Sequence, residues 1–303
     1  MCVDLVLTGN VRPQFGQREQ LIADYVVELG GSANIFASQF VKLGGRAGVV
    51  GRVGRDFFGE FALQRLKTLN VDASQVRQLA SMKTGLGVAL VERGDRAVLT
   101  YSGSMDAVQP EELSPDLLSL CHHWHIASYF LLTKLRSFWK EWLPICRQES
   151  VTTSLDTNWD PEDGWSGVLE LLPWVDVFLP NEAEALRITG EPSVERAGER
   201  LASCGPLVVI KRGSRGAVAF RGGERWPVGA WEADNGTDQL VDTIGAGDNF
   251  DAGFLRAWLL GWDVPECLTL ASRCAFASLR AAGGIEGQLR EIVDGGEKRH
   301  DGW

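Results

Sequence analysis

Asp242-Thr243-Ile244-Gly245-Ala246-Gly247-Asp248-Asn249-Phe250-Asp251-Ala252-Gly253 is a small-residue turn that runs straight into an apolar helical stretch, predicted over Ala246–Leu260. Backbone N–H groups at a helix start have no intrahelical acceptor and carry a partial positive charge. They suit an anion such as phosphate, and glycine or alanine at the turn lets the backbone approach it. Asp248 stands beside that anion site, where a carboxylate can take a proton from an attacking hydroxyl. Aspartate also caps helix starts, and the two roles are compatible. Together these features point to phosphoryl transfer onto an alcohol.

On the N-terminal side of this turn, short β-like runs alternate with helical ones. That is the pattern of a mostly parallel sheet covered by helices. Strands are expected at Asp4–Thr8, Ala47–Arg52, Trp124–Ala127, Thr152–Leu155, Val175–Leu179, Leu207–Ile210 and Ala217–Phe220. Helices are expected at Ala33–Leu43, Phe58–Leu69, Lys134–Arg147, Glu182–Ile188, Ser193–Ser203 and, beyond the turn, Pro265–Arg280. Two stretches break the rhythm. Leu86–Glu92 and Ala97–Tyr101 flank Arg93-Gly94-Asp95-Arg96, a hairpin turn. Val11–Leu29 is polar, with a β-like end at Tyr25–Leu29. The tail Asp294–Trp303 is polar and reads as loose.

Four further motifs stand at fixed places in this frame. Gly30-Gly31-Ser32-Ala33-Asn34 opens the first helix, and Gly54-Arg55-Asp56-Phe57-Phe58-Gly59 opens the second. Pro180-Asn181-Glu182-Ala183-Glu184 puts Asn181 and Glu184 on one face of a starting helix. Lys211-Arg212-Gly213-Ser214-Arg215-Gly216 follows an apolar strand. Each also has a plain structural reading as a cap, an acidic first turn or a solvated loop. With the Asp242 run, which matches Asp-Thr-x-Gly-Ala-Gly-Asp-x-Phe-x-x-Gly at every fixed position, they resemble the ribokinase/PfkB family of sugar and nucleoside kinases. The resemblance runs from Gly9 to about Gly287.

The resemblance implies a single ribokinase-like three-layer α/β/α domain over residues 1–303. A small β-sheet lid would come from about 11–30 and 84–104. It implies Asp248 as catalytic base, with Gly245, Ala246 and Gly247 as the anion hole. Gly30, Gly31 and Asn34 would hold the sugar, Asn34 through its hydroxyls. The Gly54–Gly59 segment would be a structural turn. Lys211, Gly213, Gly216 and Thr243 would border the ATP. Asn181 and Glu184 would hold Mg2+-bound water and phosphate, since magnesium keeps several waters and needs few protein ligands. Asp242 and the Ile244 carbonyl would ligate a monovalent cation such as K+, with further carbonyls from Ala281–Gly287.

Three departures bear on the acceptor. The family's sugar-binding aspartate, counted from Gly9, falls on Gln14, which hydrogen-bonds but carries no charge. In Asp156-Thr157-Asn158-Trp159-Asp160 the family's arginine is replaced by Asp160. An acid-sugar carboxylate would then lack its bidentate partner. The hairpin offers Tyr101 rather than an arginine.

Composition sets outer bounds. The chain has 303 residues, of which 45% are hydrophobic, enough for a substantial core. Its net charge of −10 argues against nucleic acid as a partner. No run has the apolar length of a membrane span, and Met1–Gly9 lacks the basic start of a secretory leader. The six cysteines show no Cys-x-x-Cys spacing and read as reduced core thiols. His122-His123-Trp124-His125 has no third ligand partner in view and reads as a strand without a metal.

The expectation is a cytoplasmic, ATP- and Mg2+-dependent kinase, with K+ as a further cation and a small neutral sugar, fructose-like or ribose-like, as acceptor. Dimerisation through the lid is expected. A nucleoside kinase is the nearest alternative, an acid-sugar kinase the next. A non-catalytic sugar- or nucleotide-binding protein on the same scaffold is the alternative of a different class.

Overall fold

Alternating apolar runs become strands, and runs with a 3.6-residue apolar repeat become the helices that cover them. A computed structural model describes residues 1–92, 95–231 and 241–290. In chain order the elements are β1 (Cys2–Thr8), β2 (Asp24–Gly30), α1 (Ser32–Lys42), β3 (Gly51–Gly54), α2 (Phe57–Thr68), β4 (Val76–Leu79), β5 (Gly85–Glu92) and β6 (Asp95–Tyr101). Then follow β7 (His123–Ile126), α3 (Trp139–Gln148), β8 (Thr152–Leu155), α4 (Val168–Leu171), β9 (Val177–Phe178), α5 (Glu182–Thr189) and α6 (Val194–Ala202). The last are β10 (Leu207–Lys211), β11 (Ala217–Arg221), β12 (Glu224–Val228), α7 (Ala246–Leu259) and α8 (Val264–Ser278).

Six strands form the large sheet, in the order β12-β11-β10-β9-β8-β7. β7 to β10 are parallel, while β11 and β12 run antiparallel at one edge. The side-chain alternation of its strands builds two cores. Val208, Ile210, Phe178, Val218 and Phe220 face α3 to α6. Val177, Leu207, Val209, Ala217 and Ala219 face α1, α7 and α8. This is the expected three-layer α/β/α arrangement. Phe178, Phe254 and Trp142 are among the largest fully buried side chains. Truncating one of them to alanine would cost on the order of 3–5 kcal/mol.

A four-stranded sheet, in the order β2-β1-β5-β6, takes in both segments expected of a lid. β1 pairs antiparallel with β2 and parallel with β5. Here the structure corrects the sequence reading, which put Asp4–Thr8 in the large sheet. An apolar alternation identifies a strand but does not choose its neighbours; the Cys2↔Gly30 and Cys2↔Gly85 registers do. β3 and β4 form a separate parallel pair. The hairpin turn at 93–94 and the tail 291–303 lie outside the described residues. Among the described residues no helix is long and apolar enough to cross a membrane.

α3 begins at Trp139, five residues later than the predicted Lys134, because two short 3-10 turns, Tyr129–Leu131 and Thr133–Leu135, precede it. β12 was not anticipated: its Glu-Arg-Trp-Pro-Val sequence is polar because it is an edge strand.

Candidate active site

Gly245 caps α7 in the left-handed region, with φ of 71°. A Cβ there would meet the Gly284 Cα at 2.9 Å and Ile35 at 3.0 Å, so both geometry and space demand glycine. Ala246 and Gly247 begin the first turn, where helix N–H groups lack intrahelical acceptors. Asp248 sits in that turn, half-buried. Burial, then the charge of Asp156, pushes its carboxyl up to about 7; Lys211 and a hydrogen bond from Ser32 oppose the rise, and Asp4 adds to it.

Asp4 is the group that the motif count missed. Its carboxylate lies between two glycines: a Cβ on Gly30 would come within 2.4 Å of it, and one on Gly87 within 2.5 Å. Gly30 therefore makes room for Asp4. Gly31, with φ of 88°, caps α1. The buried Asn34 donates from Nδ2 to the Gly30 carbonyl at 2.6 Å, while its Oδ1 has no hydrogen-bond partner among the described residues. Gln14, by contrast, is exposed and accepts a hydrogen bond from Arg18 at 2.8 Å. The sequence signal for Asp4 was an acidic residue inside an apolar strand. Tyr101 ends β6, half exposed.

Lys211 turns inward. Its Nζ donates to Asp156 Oδ2 at 2.5 Å and to Asp251 Oδ2 at 2.9 Å and Oδ1 at 3.0 Å. Burial would raise the Asp156 carboxyl, but the Lys211 charge and hydrogen bonds outweigh it and bring it down to about 2. Burial raises Asp251 well above the usual carboxylate range.

Asn181 and Glu184 form a capping box at the start of α5. Glu184 accepts from Asn181 N at 2.9 Å, Asn181 Nδ2 at 2.6 Å and Thr157 Oγ1 at 3.3 Å. Burial, with the Asp156 charge, raises it to about 7. Gly216 (φ of 78°) is glycine because a Cβ would stand 2.0 Å from the Val228 carbonyl of β12. Gly213 (φ of 58°) has open space around it. Thr243 is exposed, and its carbonyl accepts from Ala246 N at 3.4 Å.

Two side chains clip the turn to the loop that follows α8. Asp242 accepts from Ile244 N and Gly283 N, each at 3.0 Å. Asn249 donates to the Gly245 carbonyl at 2.8 Å and the Gly284 carbonyl at 2.9 Å. Asp56 caps α2 through Gly59 N at 2.8 Å, in keeping with the structural role expected of that motif. Asp160 accepts from Gly164 N and Trp165 N and organises its own loop.

His123 and His125 share Ser154, which lies 2.7 Å from His123 Nε2 and from His125 Nδ1. Burial holds both neutral, lowering them to about 3 and about 4. Among the described residues no group of three or more His, Cys, Asp or Glu is placed to hold a metal ion.

The site thus joins a glycine-rich helix start, a carboxylate of raised pKa, and the nearby polar side chains of Asp4 and Asn34. An ATP-dependent ribose-1-phosphate kinase of Halopiger xanaduensis is 31% identical over 246 residues, covering 81% of this chain and 78% of that protein. Arabidopsis thaliana ribokinase, solved with ribose and ATP, is 25% identical, with a TM-score of 0.80 over 94% of this chain and 92% of its own. Sinorhizobium meliloti adenosine kinase is 27% identical, with a TM-score of 0.78 over 87% and 81%. The sequence profile described as pfkB family carbohydrate kinase matches residues 1–291, and the chain belongs to that family of carbohydrate kinases.

Proposed function

We propose that the protein moves the γ-phosphoryl group of ATP to a hydroxyl of a small neutral sugar. The observation that carries this reading is the placement of Asp248 in the first turn of α7, with a carboxyl raised to about 7. The acceptor hydroxyl gives its proton to Asp248 as its oxygen bonds to phosphorus. The bond from phosphorus to the bridging oxygen breaks, and ADP leaves. The N–H groups of Gly245, Ala246 and Gly247 stabilise the charge on the transferring group. Activity should therefore rise with pH through about 7, as Asp248 loses its proton.

Asp4 and Asn34 suit the acceptor's other hydroxyls. A carboxylate accepts two or more O–H groups, and the orphaned Asn34 Oδ1 needs a donor. Asp4 beside Asp248 also disfavours a carboxylate on the substrate, which supports the neutral sugar over the acid sugar. Arabidopsis ribokinase with ribose and ATP makes a ribose-like acceptor a natural first trial. The adenosine kinase relative keeps a nucleoside as the second reading.

Magnesium supplies charge neutralisation on the phosphates. Glu184, whose oxygens already accept three hydrogen bonds, fits contact through water rather than direct ligation. Asp242 and Ile244 are where a monovalent ion would act, which a KCl titration tests. We read residues 1–303 as one catalytic unit with the four-stranded sheet as its lid, and a dimer through that sheet as its assembly.

The test is ADP release with ATP and Mg2+ across neutral sugars, acid sugars and nucleosides. Asp248→Asn should lose about 10²–10⁴-fold in turnover, the usual reach of a general base, while still binding ATP. Wild-type turnover in that variant would sink the base assignment. ATP binding without ADP formation on any acceptor would favour a binding protein.

A further inference from the structure

We propose that Lys211 is a positioning residue, a buried brace that fixes the anion-hole turn and Asp248 through Asp156 and Asp251, and not a contact for the nucleotide. The inference rests on the phosphoryl-transfer reading above. An ammonium is a donor only, and at Lys211 three oxygens of two aspartates lie within 2.5–3.0 Å of it. The Lys211, Asp156 and Asp251 side chains are only 12%, 5% and 1% exposed. The ammonium is thus paired with two buried carboxylates.

The three groups come from three elements: Lys211 ends β10, Asp156 follows β8, and Asp251 lies on α7. Asp251 stands four residues beyond Gly247, one turn down the same helix face. A Cβ on Gly247 would sit 3.6 Å from the Lys211 Nζ, so the ammonium lies against the turn itself. That is the first tie to Asp248, through the backbone of its own helix.

The second tie runs through side chains. Asp156 Oδ1 accepts from Asn158 N at 2.9 Å. Asn158 is held at φ of 53°, in the left-handed region. Its Nδ2 gives one proton to Ser32 Oγ at 2.8 Å and the other to Ser128 Oγ at 2.7 Å. The Ser32 hydroxyl is the side chain that helps hold the Asp248 carboxyl down. Lys211 thereby sets both the height of Asp248 on its helix and the partner that orients its carboxylate.

Groups facing Asp248 are Lys211 from β10, Asp156 from the loop after β8, Ser32 from α1, Asp4 and Cys2 from β1, and Asp251 on its own helix. Of these, Lys211 is the cation that favours an ionised Asp248.

Lys211→Met should lower kcat about 100-fold, the scale of a misplacement of about 1 Å, and leave ATP affinity within about threefold. The acid limb of kcat/KM should move to higher pH, since Asp156 then acts on Asp248 unopposed. Asp251→Ala should lose turnover, and Asp251→Asn should restore part of it, since its amide oxygen still accepts from Lys211 and its NH2 can donate to Asp156. If Lys211→Met fails to fold, Lys211→Met/Asp156→Asn removes both charges; the same loss of kcat is expected with little pH shift, because the charge that raises Asp248 goes with the one that lowers it, and full kcat in that variant would overturn the brace. Full kcat at saturating ATP, with ATP affinity weakened tenfold or more, would overturn the brace and make Lys211 a nucleotide contact. An unmoved pH profile in Lys211→Met would overturn it as well. A wild-type protein that turns over no acceptor would sink the kinase reading alone. The Asp248 carboxyl titration, followed by 13C NMR, would still judge the brace: it must rise in Lys211→Met.

Discussion

The two larger sheets handle polar groups in opposite ways. The six-stranded sheet is covered on both faces and buries its polar residues in closed networks: His123 and His125 share Ser154, and Lys211 is wrapped by two aspartates. The four-stranded sheet is half covered. It exposes Tyr25, Val98, Leu99 and Tyr101 and brings the Asp4 carboxylate up beside Asp248. The contrast separates scaffold from contact. Closed networks fix geometry, whereas the glycine-flanked Asp4 carboxylate is the group that the proposed sugar contact draws on.

Asp4→Asn tests the contact side and carries the largest effect expected of the three variants that probe this contrast. It keeps the size of the side chain and removes the charge, so kcat/KM for a neutral sugar should fall about 10–100-fold, the cost of weakening one or two charge-assisted hydrogen bonds. ATP affinity should hold. Unchanged kcat/KM would move the sugar away from β1.

Acid stability tests the scaffold side. His123 and His125 have folded values of about 3 and about 4 against an ordinary 6.5. Their contribution is complete above pH 6.5 and is lost as pH falls from there toward 4 and then 3, because the unfolded chain binds those protons first. Asp248 and Glu184, raised to about 7, act in the opposite sense: their contribution is complete below the ordinary carboxylate range and fades as pH rises through 7. His125→Gln isolates the histidine part, since glutamine keeps a polar end and does not titrate. Between pH 7 and pH 4 the variant's Tm should fall less than the wild type's. Parallel curves would mean that His125 is not held neutral.

Gln14→Ala should do least. The side chain is exposed and meets Arg18, so kcat/KM should stay within about twofold, as for ordinary surface positions. A tenfold loss would restore Gln14 to the sugar site and blur the line between the two sheets.

Much of this was legible because it is local. The helix starts at Asn181, Asp56 and Gly245 follow from capping chemistry within four residues. The predicted strands from Trp124 onward lie within two residues of those observed at each end, since buried parallel strands are short apolar runs. Asp4 was not legible as a site residue, because its neighbours Gly30 and Gly87 are brought to it by strand pairing across distant sequence. Lys211 read as a loop cation because only the fold supplies Asp156 and Asp251 as partners. Gly216 matched a nucleotide-loop motif, yet the Val228 carbonyl alone explains its missing side chain.

The bonds of Asp242 and Asn249 to the loop after α8 have a consequence for inheritance. Gly283 and Gly284 give one N–H and one carbonyl to residues on either side of the anion-hole turn. The two segments are therefore a single module written in two places, about forty residues apart in the chain. A chimera that swaps the turn and α7 while leaving the later loop behind would divide that module, however well each half matched its own family motif.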